Sequence, residues 1–156
     1  MSTLSVDTIQ GQTTASTIKI PGHVVQVVEG TATAQTVHNT TSYAATSVTA
    51  SITPKFATSK ILVSLTSNLE TNSAGEFGWY SLFRGSTNII ESQVGQPNGG
   101  GSPIFPITLQ RLDSPATTST ITYALYIKRT SATIVANINS GGINSVGVIT
   151  LMEIAQ

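Results

Sequence analysis

The chain has 156 residues, seven basic and seven acidic side chains, and no cysteine. That length suits one compact domain with a real core plus an arm. The charge pattern, whose tightest cationic group is Lys128-Arg129, argues against nucleic acid as a partner, and the lack of cysteine excludes disulfides, thiolate nucleophiles and Cys-metal sites.

Charged residues make up only 9% of the chain, against about a quarter in an average soluble domain. Their place is taken by 25 threonines and 19 serines. Threonine suits a pleated, half-exposed surface, because its branched Cβ favours extended backbone while its hydroxyl keeps the face wet. No apolar stripe repeats at helical spacing, so the composition reads as all-β. The longest apolar run, Val24 to Val28, is interrupted by Gln26, so no segment is expected to span or insert in a membrane. No basic n-region precedes an apolar h-region, and no Sec signal is expected.

Residues Met1 to Gly22 read as an arm, with Leu4, Val6, Ile9, Ile18 and Ile20 as apolar points in a polar background. Pro21-Gly22 closes it as a turn. So few large apolar side chains cannot make a core alone, so they should dock on the body, residues 23–156, or on a neighbour. His23 to Glu29, with Val24, Val25, Val27 and Val28, is apolar on both faces and reads as an interior strand. Thr33 to Thr40 is a weaker strand. Ser47 to Thr53 turns Val48, Ala50 and Ile52 to one side and stops at Pro54. Lys60 to Ser67 puts Ile61, Val63 and Leu65 inward. Phe77 to Arg84 carries Phe77, Trp79 and Phe83 on one face and Tyr80 and Leu82 on the other, a density of aromatics expected of a buried strand pair. Arg84-Gly85-Ser86-Thr87 turns into Asn88 to Ser92 as a hairpin.

The loop Gly95 to Pro103 is the stretch richest in glycine and proline. Ile104 to Leu112 resumes extended structure, with Pro106 requiring an edge or a bulge. Asp113-Ser114-Pro115 turns the chain. In Thr120 to Lys128, Ile121, Tyr123, Leu125 and Ile127 alternate with Thr122, Ala124, Tyr126 and Lys128. Thr133 to Asn139 follows with Ile134, Ala136 and Ile138 inward, and Gly141-Gly142 breaks it. Val146 to Ala155, apolar on both faces, is expected to be central. About nine short strands with turn signals between them indicate a sandwich or barrel. The apolar first and last body strands favour an antiparallel jelly-roll β-sandwich with an extended N-terminal arm.

Catalytic or metal chemistry finds little support in the residues. His23 and His38 fall in no zinc-ligand spacing, no Gly-x-Ser-x-Gly elbow occurs, and the seven carboxylates are scattered, Glu70 and Glu76 flanking a loop. The expectation is therefore no enzyme, no metal and no cofactor. Asn98 to Gly101 lacks the Lys-Ser/Thr and helix start of a phosphate cradle. A loop between strands is also where a β-scaffold carries a binding surface. Gln96, Asn98, Gly99 and Gly100, with Tyr126 pointing opposite to Tyr123, are the candidates for receptor contact. Trp79, Tyr80, Tyr43, Tyr123 and Tyr126 could stack on sugars, although aromatics at strand positions are more often core or interface.

The ordered segments resemble a family: small virion structural proteins and tail-fibre terminal domains of tailed phages, particularly marine ones. The pieces are Leu4-Ser-Val-Asp-Thr-Ile-Gln10, Pro21-Gly-His-Val-Val-Gln-Val-Val28, Ile52-Thr-Pro54 followed by Ser59-Lys-Ile-Leu-Val63, and Leu82-Phe-Arg-Gly-Ser-Thr87. Leu112-Asp-Ser-Pro115, Thr122-Tyr-Ala-Leu-Tyr126 and Ile149-Thr-Leu-Met-Glu-Ile154 complete the set, which covers most of the chain. The resemblance implies a jelly-roll body, a homotrimer, and attachment to other virion proteins of head or tail through the arm. It implies a virion component assembled in the bacterial host cytoplasm and serving as a fibre-like or decoration appendage. The chain lacks the long shaft of a full fibre. A carbohydrate-binding module that recognises host surface glycans is the alternative reading.

Overall fold

In the computed structural model, which describes residues 18–71, 77–95, 103–130, 134–136, 139–140 and 143–156, extended backbone forms twelve strands. Eight are long: β1 (Val24–Ala32), β3 (Ala44–Ile52), β4 (Lys60–Thr71), β5 (Phe77–Arg84), β6 (Thr87–Gly95), β7 (Ile104–Asp113), β8 (Ile121–Arg129) and β12 (Gly147–Ile154). Four are short: β2 (Thr36–His38), β9 (Ile134–Ala136), β10 (Asn139–Ser140) and β11 (Ile143–Asn144). Every pairing is antiparallel.

The long strands fall into two four-stranded layers. One runs β1-β12-β4-β7, because β7 pairs the edge of β4 that β12 leaves free; the other runs β3-β8-β5-β6. Counting only long strands, the orders are first-eighth-third-sixth and second-seventh-fourth-fifth. Successive long strands therefore alternate between layers at both ends of the chain, which is the double Greek key of a jelly roll. β9 pairs β4 at Leu69–Thr71, beyond the Lys60–Thr66 stretch held by β12. The last segment thus runs as one line along β4, interrupted by an excursion that contains the β10-β11 hairpin. Asn68 Nδ2 donates to Ser145 Oγ at 2.9 Å where that excursion returns.

Alternation decides which side chains meet between the layers. Ile61, Val63, Leu65 and Leu69 of β4, Ile107 and Leu109 of β7, and Ile149 and Leu151 of β12 face Val48, Ala50 and Ile52 of β3, Tyr80 and Leu82 of β5, and Tyr123, Leu125 and Ile127 of β8. The hairpin expected at Arg84-Gly85-Ser86-Thr87 forms, with Arg84 opposite Thr87. Gly85 takes φ 55° at the first central position, where a two-residue β-turn of the primed kind needs a positive φ. Pro106 lies on β7, an edge strand paired only with β4, the kind of position that tolerates a missing N–H.

Four expectations change. β1 is an edge strand, not an interior one: it pairs β12 alone, and Val24 (42% exposed) and Val27 face outward. A bulge at Val24/Gln26 resets its alternation, which is why both faces look apolar in sequence. In β5 only Tyr80 and Leu82 of the large side chains are buried; Phe77 is 45% exposed and Trp79 and Phe83 are half-buried on the outer face. The strand expected over Thr133 to Asn139 is instead the short β9 and β10, and Ile138 lies outside the described residues. Finally, the long strands number eight, with β12 central as expected, between β1 and β4.

Candidate interaction surfaces

The outer face of the β1-β12-β4-β7 layer is built by the residues that alternate with the core. Its register aligns Val27, Met152, Leu62 and Leu112 in one row across all four strands. The ends of that row, Val27 at 55% and Leu112 at 47%, are well exposed. Val24 and Ile154 sit side by side in the next row. The row on the other side is polar: Glu29, Thr150, Ser64 and Gln110. An apolar band crossing a four-stranded sheet spans about 14 Å at the usual strand spacing. Large contiguous apolar surfaces bordered by polar residues are typical of association sites.

At the same end of the sandwich the core is closed by two carboxylates. Gln26, Glu153, Ile61 and Asp113 form the adjacent inward row. Glu153 is completely buried. Its Oε1 accepts from the backbone N–H groups of Lys55 (2.8 Å) and Phe56 (3.2 Å), and its Oε2 from Gln26 Nε2 (2.6 Å). Burial alone would raise its pKa, but the donors from Lys55, Gln26 and Phe56 outweigh that and hold the carboxyl below its usual range. The carboxylate thereby fixes the β3–β4 connection to β12 and β1. Asp113 Oδ2 accepts from Arg84 and from the Tyr123 hydroxyl, each at 2.7 Å. Burial, then the bond to Asp113 and its charge, push the Tyr123 hydroxyl well above its ordinary pKa. This triad joins β7 of one layer to β5 and β8 of the other. Beside it opens a cleft of about 470 Å³ lined by Arg84, Gly85, Ser86, Pro115, Thr120, Ile121 and Thr122.

The outer face of β3-β8-β5-β6 carries an aromatic cluster. Phe83 stacks on Tyr126 with centroids 4.1 Å apart and meets Tyr43 edge-on at 5.4 Å. Lys128 Nζ lies 4.3 Å from the Tyr43 centroid and 5.2 Å from that of Trp79. The Tyr43 hydroxyl donates to Glu91 at 2.8 Å, and burial followed by Glu91 raises its pKa. The rings thus use their faces on one another and on a lysine, a packing that stabilises this layer from outside.

Of the arm residues, Ile18 is half-buried and Ile20 is 52% exposed. Leu4, Val6 and Ile9, and the loop residues Gln96, Asn98, Gly99 and Gly100, lie outside the described residues. Tyr126 points away from the buried Tyr123 as expected, half-buried against Phe83. The chain enters the body at its carboxylate end: Lys19 Nζ donates to Thr58 Oγ1 at 2.9 Å, and the Gly22 N–H to the Ala155 carbonyl at 2.7 Å. Among the described residues no three His, Asp or Glu side chains converge as metal ligands. The structure brings forward groups that sequence reasoning missed, Glu153 and the Arg84-Asp113-Tyr123 triad. Glu153 had a signal, since it follows Ile149 and Leu151 at a spacing of two.

No protein-family model and no curated protein matches the chain. Among solved structures it is similar to the infectious bursal disease virus VP2 subviral particle, at TM-score 0.41 and 15% identity, over 84% of this chain and 38% of that one. A structure of the Gx strain of that virus gives TM-score 0.36 and 12% identity over the same shares. The chain spans less than two fifths of the length of those neighbours. The functional reading therefore stands on this chain's own surfaces.

Proposed function

We propose that this chain is a non-enzymatic structural protein of a tailed-phage virion: a homotrimeric fibre-like or decoration appendage, held to the particle through residues 1–22. The observation that carries the reading is the apolar band across the outer face of a jelly-roll layer, Val27-Met152-Leu62-Leu112, on a chain with few charges to oppose close packing. The order of its segments, which resembles small phage virion proteins, supports the same reading. Three copies about a three-fold axis would cover such bands in a closed assembly. The carbohydrate-binding alternative is disfavoured by the outer aromatics, because Phe83 and Tyr126 already stack face to face. Quantitative mass spectrometry of washed virus particles tests the proposal. The chain should be present at a fixed copy number divisible by three; its absence from intact particles removes the virion reading. Glycan-array binding lost on shortening residues 95–103 would shift the reading to receptor recognition.

A further inference from the structure

We infer that the Val27-Met152-Leu62-Leu112 band is the seat of the Leu4–Ile9 segment from a second copy of this chain. The inference rests on the assembly reading above, names the two surfaces that meet, and gives residues 4–9 to the trimer, leaving the rest of the arm to hold the particle. Apolar surface on this face is concentrated at one end, since the next row inward is Glu29, Thr150, Ser64 and Gln110. That end is also where the arm joins the body, through Lys19 to Thr58 and Gly22 to Ala155. Leu4 and Val6 are spaced by two, so an extended segment presents both to one side.

Reach decides between the chain's own arm and a neighbour's. From Gly22 the band is only a few residue rises away, about 10–15 Å. Ile9 and Leu4 precede Ile18 by nine and fourteen residues, which span about 30–46 Å when extended. Residues 23–156 make a body about 36 Å across by the usual scaling. An arm extended in this way would carry Leu4 to Ile9 past its own band and onto the next subunit, whereas self-docking would require most of the arm to double back. Exchange of like segments between protomers is a low-cost route to closed oligomers.

The cysteine-free chain makes the test direct. Two differently tagged full-length chains are co-expressed, one carrying Val6→Cys and the other Val27→Cys, and the purified assembly is mildly oxidised. Val27 is exposed, so its substitution leaves the core intact; Leu112→Cys serves as a second acceptor. Gln93→Cys, exposed on the opposite layer, is the control. The expected result is a two-tag product of about 32 kDa, twice the 16.2 kDa chain, formed several-fold more with Val27 or Leu112 than with Gln93. A chain carrying both Val6→Cys and Val27→Cys that links only within itself shows self-docking and overturns the inference while a trimer stands. Equal linkage to Gln93, or no linkage in a trimer, also overturns it, leaving the band to another virion protein. A monomeric native mass would instead sink the assembly reading itself.

Discussion

Replacing Glu153 with glutamine probes the end of the sandwich from which the arm departs. The carboxylate is completely buried and accepts three hydrogen bonds, two from the Lys55 and Phe56 backbone and one from Gln26. A glutamine of the same shape keeps one acceptor oxygen for the backbone donors but turns an NH₂ toward Gln26 Nε2. Gln26 must then flip and give up its 2.8 Å bond to the Thr53 carbonyl, or face another donor. Losing one charge-assisted bond in a buried site costs about 2 kcal/mol, a fall in Tm of about 4–8 °C for a chain of this size. The pH dependence has a definite sign. The folded pKa of Glu153 lies below its ordinary value of 4.5, so its contribution is complete above that value and is lost as pH falls through the folded one. Urea unfolding of both proteins, followed by circular dichroism at fixed protein concentration, should show Glu153→Gln less stable at pH 7, with the difference shrinking as pH falls below 4.5. Equal stability at pH 7 together with an unchanged acid slope would refute the ionised pin.

Further perturbations follow from the same geometry. Asp113→Ala leaves the Arg84 guanidinium and the Tyr123 hydroxyl without their shared acceptor and should cost about 2–3 kcal/mol in urea unfolding, Arg84 being partly solvated. A methyl group at Gly30 would run into the Thr49 carbonyl of β3, so Gly30→Ala should lower the unfolding free energy by about 1–3 kcal/mol; an unchanged stability would show that β1 and β3 do not meet there. Tyr126→Ala removes the Phe83 stack and should cost about 1–2 kcal/mol, read by thermal melting. Tyr43 and Tyr123 have folded pKa values above the ordinary 10.0, so their contribution is complete below that value and lost as pH rises beyond it. In an ultraviolet titration the Tyr43 and Tyr123 hydroxyls should stay un-ionised above pH 10; their ionisation at the ordinary value would contradict their burial.

Strands with one wet face were legible in sequence. β8 and β4 alternate cleanly because one side of each packs the core, and Pro106 announced the edge position of β7. Strands apolar on both sides were ambiguous. Val24 to Val28 and Val146 to Ala155 look alike as sequence, yet β1 is an edge and β12 is central. A valine facing an uncovered surface carries the same letter as one facing the core. The candidate surfaces were harder still, because they are made by register between distant segments. Val27, Leu62, Leu112 and Met152 become neighbours only once four strands align. Likewise Tyr43 reaches Phe83 and Glu91 across forty residues or more, and Arg84, Asp113 and Tyr123 converge from three strands. Tertiary pairing of this kind leaves no local pattern to find.

The native mass of the purified full-length chain tests the central claim most directly, measured across a dilution series. A species of about 49 kDa, three times the 16.2 kDa chain, is the predicted result, and replacing both Val27 and Leu112 with aspartate should dissociate it while the body stays folded. A 16.2 kDa monomer at every concentration would contradict the account. The apolar band would then be a free surface on a solitary domain rather than the seam of an assembly.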